Sequence, residues 1–132
     1  SVIPNLLVPG VIDAIKKSNA KKVYIPNVMT QPGETEGYNV LDHVEALIKH
    51  TEPGLIDCII ANDEKIPESV SKRYKEDGST QVLLDNEQRL KLKCMGIRTI
   101  ESNLIEVKNA YIRHNANEIS SIIVKLALGH DI

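Results

Sequence analysis

Apolar positions along this chain alternate between two kinds of spacing. Val8, Val11, Ile12 and Ile15 fall at i, i+3, i+4 and i+7, one face of a helix that opens near Pro9. Lys16, Lys17, Ser18 and Asn19 close that run, with cations suited to a helix C-terminus. "KKVYIPN" then reads as a short strand, and Pro26 near its end predicts that pairing stops there. Asn39 is a fitting N-cap for the next helix, and Asp42 completes a capping-box pattern. The apolar stripe of that helix is Val40, Leu41, Val44, Leu47 and Ile48. "LIDCIIAND" predicts a second strand. "PESVSKRYKEDG" predicts a helix with Pro67 in its first turn and Gly78 at its end, and "QVLLD" predicts a third strand.

Residues 86 to 95 suit a short helix stopped by Gly96, followed by a strand through Ile97 to Ile100. "LIEVKNAYIRH", Leu104 to His114, is ambiguous and compatible with extended chain. Ile119, Ile122, Ile123 and Leu126 share one face of a last helix that Gly129 ends. Helices and strands in regular alternation imply parallel βαβ units with right-handed crossovers. The expected fold is a single α/β domain spanning 1–132. Because it starts at Ser1 with a helix and no strand before it, the expectation is also that it is the C-terminal part of a longer chain.

Composition narrows the chemistry. The chain has 132 residues, no Phe or Trp and four Tyr, so Val, Ile and Leu must fill the core. A net charge of −2 gives no electrostatic case for nucleic acid or an anionic membrane. Cys58 and Cys94 sit inside apolar segments, fit no metal or redox spacing, and read as small core residues of a reducing compartment. No apolar run approaches membrane-spanning length and no signal peptide is visible, so a cytoplasmic location is expected.

Ligands of open parallel sheets bind outside the carboxyl ends of the strands. Two loops fall there. In the first, Asn27 to Asn39, Gln31-Pro32-Gly33-Glu34 has the pattern of a turn with Pro at i+1 and Gly at i+2. Asn27, Thr30, Gln31, Glu34 and Thr35 could then direct amides, hydroxyls and a carboxylate into one space. The bland alternative is a long, self-capping connection, although loops of this length tend to be functional. The second loop, "ANDEKIPES", offers Asn62, Asp63 and Glu64 to a ligand hydroxyl or a hydrated metal; the acids equally suit the start of the following helix. His43, beside Val40 and Leu47, reads as a half-buried structural histidine. His114 follows Arg113, whose planar fork suits a phosphate or a surface ion pair. Tyr74, four residues after Val70, reads as packed, with a ring edge able to line a pocket. There is no Walker loop, G-x-G-x-x-G, G-x-S-x-G or metal-ligand spacing. The residues alone define a small-molecule site with no assignable reaction.

"KKVYIPNVMTQPGETEGYNVLDHVEAL" resembles the signature segment of the gluconeogenesis-factor family, the YvcK-like proteins, within the wider group that includes 2-phospho-L-lactate transferase, CofD. "SVIPNLLVPGVIDAI", "DCIIANDEKIP" and "YIRHNANEIS" fit the same family in the same order, so the resemblance covers nearly the whole chain. It implies a Rossmann-like parallel sheet with helices on both faces, in a protein about twice this length whose N-terminal half holds glycine-rich phosphate-binding segments. It further implies a non-catalytic binder of nucleotide sugars such as UDP-N-acetylglucosamine that supports growth on gluconeogenic carbon and normal cell shape. The alternative it carries is a CofD-like transferase, moving a phospho-hydroxy-acid group from a nucleotide-activated donor with a divalent metal such as Mg2+. No cofactor follows from the first reading. On the family's pattern, Asn27, Thr30, Gln31, Gly33, Glu34 and Thr35 are the main ligand candidates. Arg113 would contact diphosphate or ribose, and Asn62 and Tyr74 are further candidates. Asp63 and Glu64 are the metal candidates. Some relatives carry Thr where this chain has Ala116. The expected partners are a UDP-sugar or other nucleotide, with self-association open.

Overall fold

The computed structural model describes residues 1–130 and 132. Two helical pieces come first, α1 (Ile3–Leu6) and α2 (Val11–Lys17), then β1 (Val23–Tyr24) and α3 (Val40–His50). β2 (Cys58–Asn62), α4 (Glu68–Glu76), α5 (Asn86–Cys94) and β3 (Arg98–Ser102) follow. β4 (Ile105–Lys108), β5 (Tyr111–His114) and α6 (Ala116–Ala127) complete the chain. β1, β2 and β3 form a parallel sheet in that order, with Val23 opposite Cys58 and Ile60 opposite Ile100. β4 and β5 form a separate antiparallel hairpin.

β2 explains why helices occupy both faces of the sheet. All five of its residues are buried, as the continuous apolar run requires of a central parallel strand. Alternate side chains point to opposite faces. Ile59 and Ala61 join Val44, Leu47 and Leu92 in one cluster, under α3 and α5. Cys58 and Ile60 join Ile100, Leu104 and Ile122 in the other, under α6. Helix ends follow their sequence signals. Asn39 and Asp42 form the reciprocal capping box at α3, with N···O distances of 2.8 and 2.9 Å. The buried Gln88 side chain of α5 accepts from Leu41 N–H at 3.1 Å, satisfying another donor of the first turn of α3. Arg89 grips Glu101 of β3 bidentately, at 2.8 and 2.7 Å, tying α5 to the sheet.

Several expectations need correction, and one ambiguity resolves. Val8 lies before α2 and is exposed, Ile123 is exposed on α6, and His43 is fully rather than half buried. "QVLLD" is not a strand of the sheet. Gln81 makes an isolated antiparallel bridge to Met29, and Val82 N–H donates to Val28 O at 2.9 Å, so this segment pairs with the loop after β1. Its strand-like spacing is satisfied by a partner outside the sheet. Cys94 is exposed rather than in the core, because Leu92 is the side of α5 that turns inward. The ambiguous 104–114 stretch is a hairpin turning at Asn109 and Ala110, both with positive φ (53° and 61°). Among the described residues no helix is long and apolar enough to cross a membrane.

Candidate functional site

The loop from Asn27 to Asn39 leaves the carboxyl end of β1 and folds on itself. Glu34 and Thr35 N–H groups both donate to Gln31 O, at 3.1 and 2.9 Å, while Gln31 N–H donates to Thr35 Oγ1 at 2.8 Å. Gly33, at φ +80°, supplies the left-handed position that a Pro-Gly turn needs. Its N–H donates to Glu36 Oε1 at 2.8 Å. The root of the loop is stitched to the segment before α5. Thr30 N–H donates to Thr80 O at 2.8 Å, Thr80 N–H to Thr30 Oγ1 at 2.9 Å, and Ser79 Oγ to Thr30 O at 2.6 Å. Thr30 is buried, and these bonds engage its N–H, carbonyl and hydroxyl. It thereby holds the loop, and it also lines the larger of the two hollows described next.

So pinned, the loop has a hollow on either side, and its expected ligand residues divide between them, except Gly33, which lines neither. One hollow, about 510 Å³, lies between the loop, α4 and the β4–β5 hairpin and is lined by Gln31, Tyr74, Asp77, Arg113 and His114. Arg113 stands across the hairpin from Glu106 in register. The ion pairs among the described residues are Lys16–Glu52, Arg89–Glu101 and Lys91–Glu87, so the Arg113 guanidinium is outside them. Tyr74 lines this hollow with its ring, but its hydroxyl accepts from Ile112 N–H at 2.8 Å. Arg73 lies 4.7 Å from the Tyr111 ring centroid and donates to its hydroxyl at 3.0 Å. Two adjacent residues of α4 thus hold the hairpin that presents Arg113.

The other hollow, about 240 Å³, lies between the loop, α1 and α3, and takes in Tyr24, Asn27, Glu34, Thr35, Tyr38 and His43. Burial raises the pKa of the Tyr24 hydroxyl, which stays neutral. The second loop belongs to neither hollow. Asn62 is buried, its amide donating to Glu64 O at 2.7 Å and its oxygen accepting from Leu104 N–H at 3.0 Å. Asp63 and Glu64 are exposed, and no group of three or more His, Cys, Asp or Glu among the described residues could hold a metal ion. Burial also pushes the Cys58 thiol up, ahead of the opposite pull of Lys21 and Arg98, which disfavours a nucleophilic thiolate. Sequence reasoning missed Tyr38, which lines the smaller hollow, and Asp77 and Ser79, which line the larger. The stitching of Ser79 to Thr30, which no local pattern announces, brings the latter two beside the loop.

A three-stranded parallel sheet flanked by helices, with a long loop at the carboxyl end of β1, makes this an α/β protein of the Rossmann-like class. Comparison with known proteins narrows this. The family model described as 2-phospho-L-lactate transferase CofD matches residues 1–105, and the chain belongs to that family. It is 42% identical over 125 residues to a protein named gluconeogenesis factor from Halalkalibacterium halodurans, covering 95% of this chain and 38% of that protein. It is 44% identical over 126 residues to the gluconeogenesis factor of Bacillus subtilis, covering 96% and 39%. The crystal structure of protein BH3568 from Bacillus halodurans superposes with a TM-score of 0.88 at 42% identity, covering 94% of this chain and 39% of that one. The chain therefore spans less than two fifths of the length of these relatives.

Proposed function

We propose that this chain supplies one wall of a UDP-sugar site in a non-catalytic gluconeogenesis factor, which links carbon metabolism to cell-wall synthesis and cell shape. The observation that carries the reading is the larger hollow. There an arginine outside every ion pair of the described residues shares a concave surface with Gln31 of the signature loop and the Tyr74 ring. A planar guanidinium suits the two phosphates of a nucleotide diphosphate, and an aromatic edge and an amide suit its base or sugar. The gluconeogenesis-factor names of the relatives support the cellular role. Calorimetry on the full-length protein should show UDP-N-acetylglucosamine binding, weakened about tenfold or more by Arg113→Ala. Unchanged affinity removes Arg113 from the site, and absence of binding refutes the proposal.

The match to the transferase family model favours a second reading, transfer of a phospho-hydroxy-acid group from a nucleotide-activated donor. Its test is turnover of such a donor by the full-length protein with Mg2+, abolished by Asp63→Asn or Glu64→Gln. No turnover with several donors leaves the binding reading in place.

A further inference from the structure

β3 is an outer strand of the sheet, and its strand partner among the described residues is β2 alone. In a parallel ladder a residue directs its N–H and C=O to one side, and its neighbours in sequence direct theirs to the other. Arg98 N–H donates to Asp57 O at 3.1 Å, and Ser102 O accepts from Asp63 N–H at 3.0 Å, so Arg98, Ile100 and Ser102 face β2. Thr99 and Glu101 therefore turn their N–H and C=O groups outward. Such an edge is a template for another strand unless something blunts it. β3 holds no proline, and its register with β2 runs unbroken from Cys58–Arg98 to Asn62–Ser102. The chain enters at the opposite edge, where Val2, Leu6, Val23 and Tyr24 border one hollow. Strands that precede β1 in a doubly wound sheet join on the β1 side, which keeps β3 outermost.

The side chains along this edge are ordered by charge. On the α5 face, Arg89 grips Glu101, and Lys93, one turn further along α5, shares with Thr99 a hollow of about 520 Å³ beside the edge. Lys93 is in none of the ion pairs of the described residues. On the α6 face, Arg98 stands exposed at the start of β3, bonded through its side chain to Ile132 O at 3.4 Å. Ser102, at the end of the strand, donates to the Glu118 carboxylate at 2.7 Å. Both faces thus run from a cation at the start of β3 to a carboxylate at its end. A parallel neighbour of the same kind would set cation beside cation, whereas an antiparallel one sets each cation beside a carboxylate. We propose that β3 pairs antiparallel with β3 of a second copy, about a two-fold axis at Ile100. In that register Thr99 and Glu101 exchange N–H···O=C bonds with Glu101 and Thr99 of the second copy, which satisfies the outward groups. The second copy's Glu101 then lies opposite Thr99, beside Lys93, and Arg98 lies opposite a Ser102 that carries Glu118. Leu90, 65% exposed and three residues from Lys93 on α5, adds apolar area to the same flank. The inference goes beyond the UDP-sugar reading and does not depend on it.

The test uses the full-length protein. Sedimentation velocity from roughly 1 to 200 μM should show a monomer–dimer equilibrium. Amide exchange at Thr99 and Glu101 should slow as the dimer fills, with Ile100 protected by β2 at every concentration. Thr99→Pro deletes an N–H that the fold itself does not use, at an edge position where proline is tolerated. It should abolish the dimer and leave the melting transition in place. Lys93→Glu sets like charges across the axis and should weaken dimerisation about tenfold or more, as should high salt. A monomer at roughly 200 μM overturns the proposal. So does a dimer that both variants leave unchanged, because its interface then lies elsewhere. Thr99 and Glu101 amides protected equally at all concentrations also overturn it, since another segment of the chain then covers β3. Where Thr99→Pro misfolds, Lys93→Glu and the wild-type exchange decide. UDP-N-acetylglucosamine binding is read separately, so either result can fail without the other.

Discussion

The hairpin that presents Arg113 has an edge N–H with a single named partner, and Tyr74→Phe removes that partner while keeping the ring. Ile112 lies opposite Val107 in the hairpin, and its N–H donates to Tyr74 Oη at 2.8 Å. Deleting the phenolic oxygen leaves this half-buried donor to water or to nothing. A neutral hydrogen bond of this kind contributes about 1 kcal/mol, equivalent to about a fivefold change in the hairpin's opening equilibrium. The Arg73–Tyr111 contact, 4.7 Å from guanidinium to ring centroid, remains and keeps the hairpin from detaching fully. Amide hydrogen exchange should therefore accelerate about fivefold at Ile112 and its hairpin neighbours, with β2 amides unchanged. UDP-sugar affinity should fall by a similar factor, because Arg113 is then less often in place. Unaltered protection at Ile112 would refute the latch. Equal acceleration in β2 would refute its locality.

Two further outcomes follow from local geometry. Gly33→Ala forces a Cβ onto φ +80°, where it meets no atom within 4 Å, so the cost is conformational; denaturant melts should show a loss of about 1–2 kcal/mol. Asp85 caps α5 by accepting from Gln88 N–H at 2.8 Å, and that backbone bond, chiefly, holds its pKa below the ordinary value of about 3.9. A lowered folded-state pKa gives stability that is present above the unfolded value and lost as pH falls through the folded one. Asp85→Asn should flatten the acid limb of a stability–pH curve while leaving the neutral region nearly unchanged, since Asn also caps. A limb of the same steepness would show that Asp85 does not contribute to it.

Elements whose signals are local are readable in the sequence. Asn39 and Asp42 start α3 where their pattern says, and the uninterrupted apolar run of Cys58–Asn62 is the buried central strand. Ile119, Ile122 and Leu126 face the sheet from α6, whereas Ile123, expected on the same face, is exposed. What pattern misses depends on partners distant in sequence. Gln81 and Val82 have strand-like spacing, but the backbone they meet is Met29 and Val28, on the far side of α3, β2 and α4 in the chain. The same stitching splits the expected ligand set, sending Gln31 to one hollow and Glu34 to the other, since the Pro32-Gly33 turn reverses the chain between them. Thr30 reads as a ligand group because hydroxyls bind ligands and backbone alike. Its burial and its bonds to the Ser79–Thr80 backbone and hydroxyl, at the edge of the larger hollow, are invisible to pattern. The hairpin is ambiguous in sequence because Asn109-Ala110 lacks the glycine that usually marks such a turn.

The two-sided burial of β2 bears on how the protein comes apart. Ile59 and Ala61 are inner wall for one apolar cluster, Cys58 and Ile60 for the other, on consecutive residues of one strand. Neither cluster can open without displacing backbone that the other is packed upon. α3, near the start of the chain, and α6, at its end, are therefore tied to a common melting event, and probes placed in either should report the same midpoint.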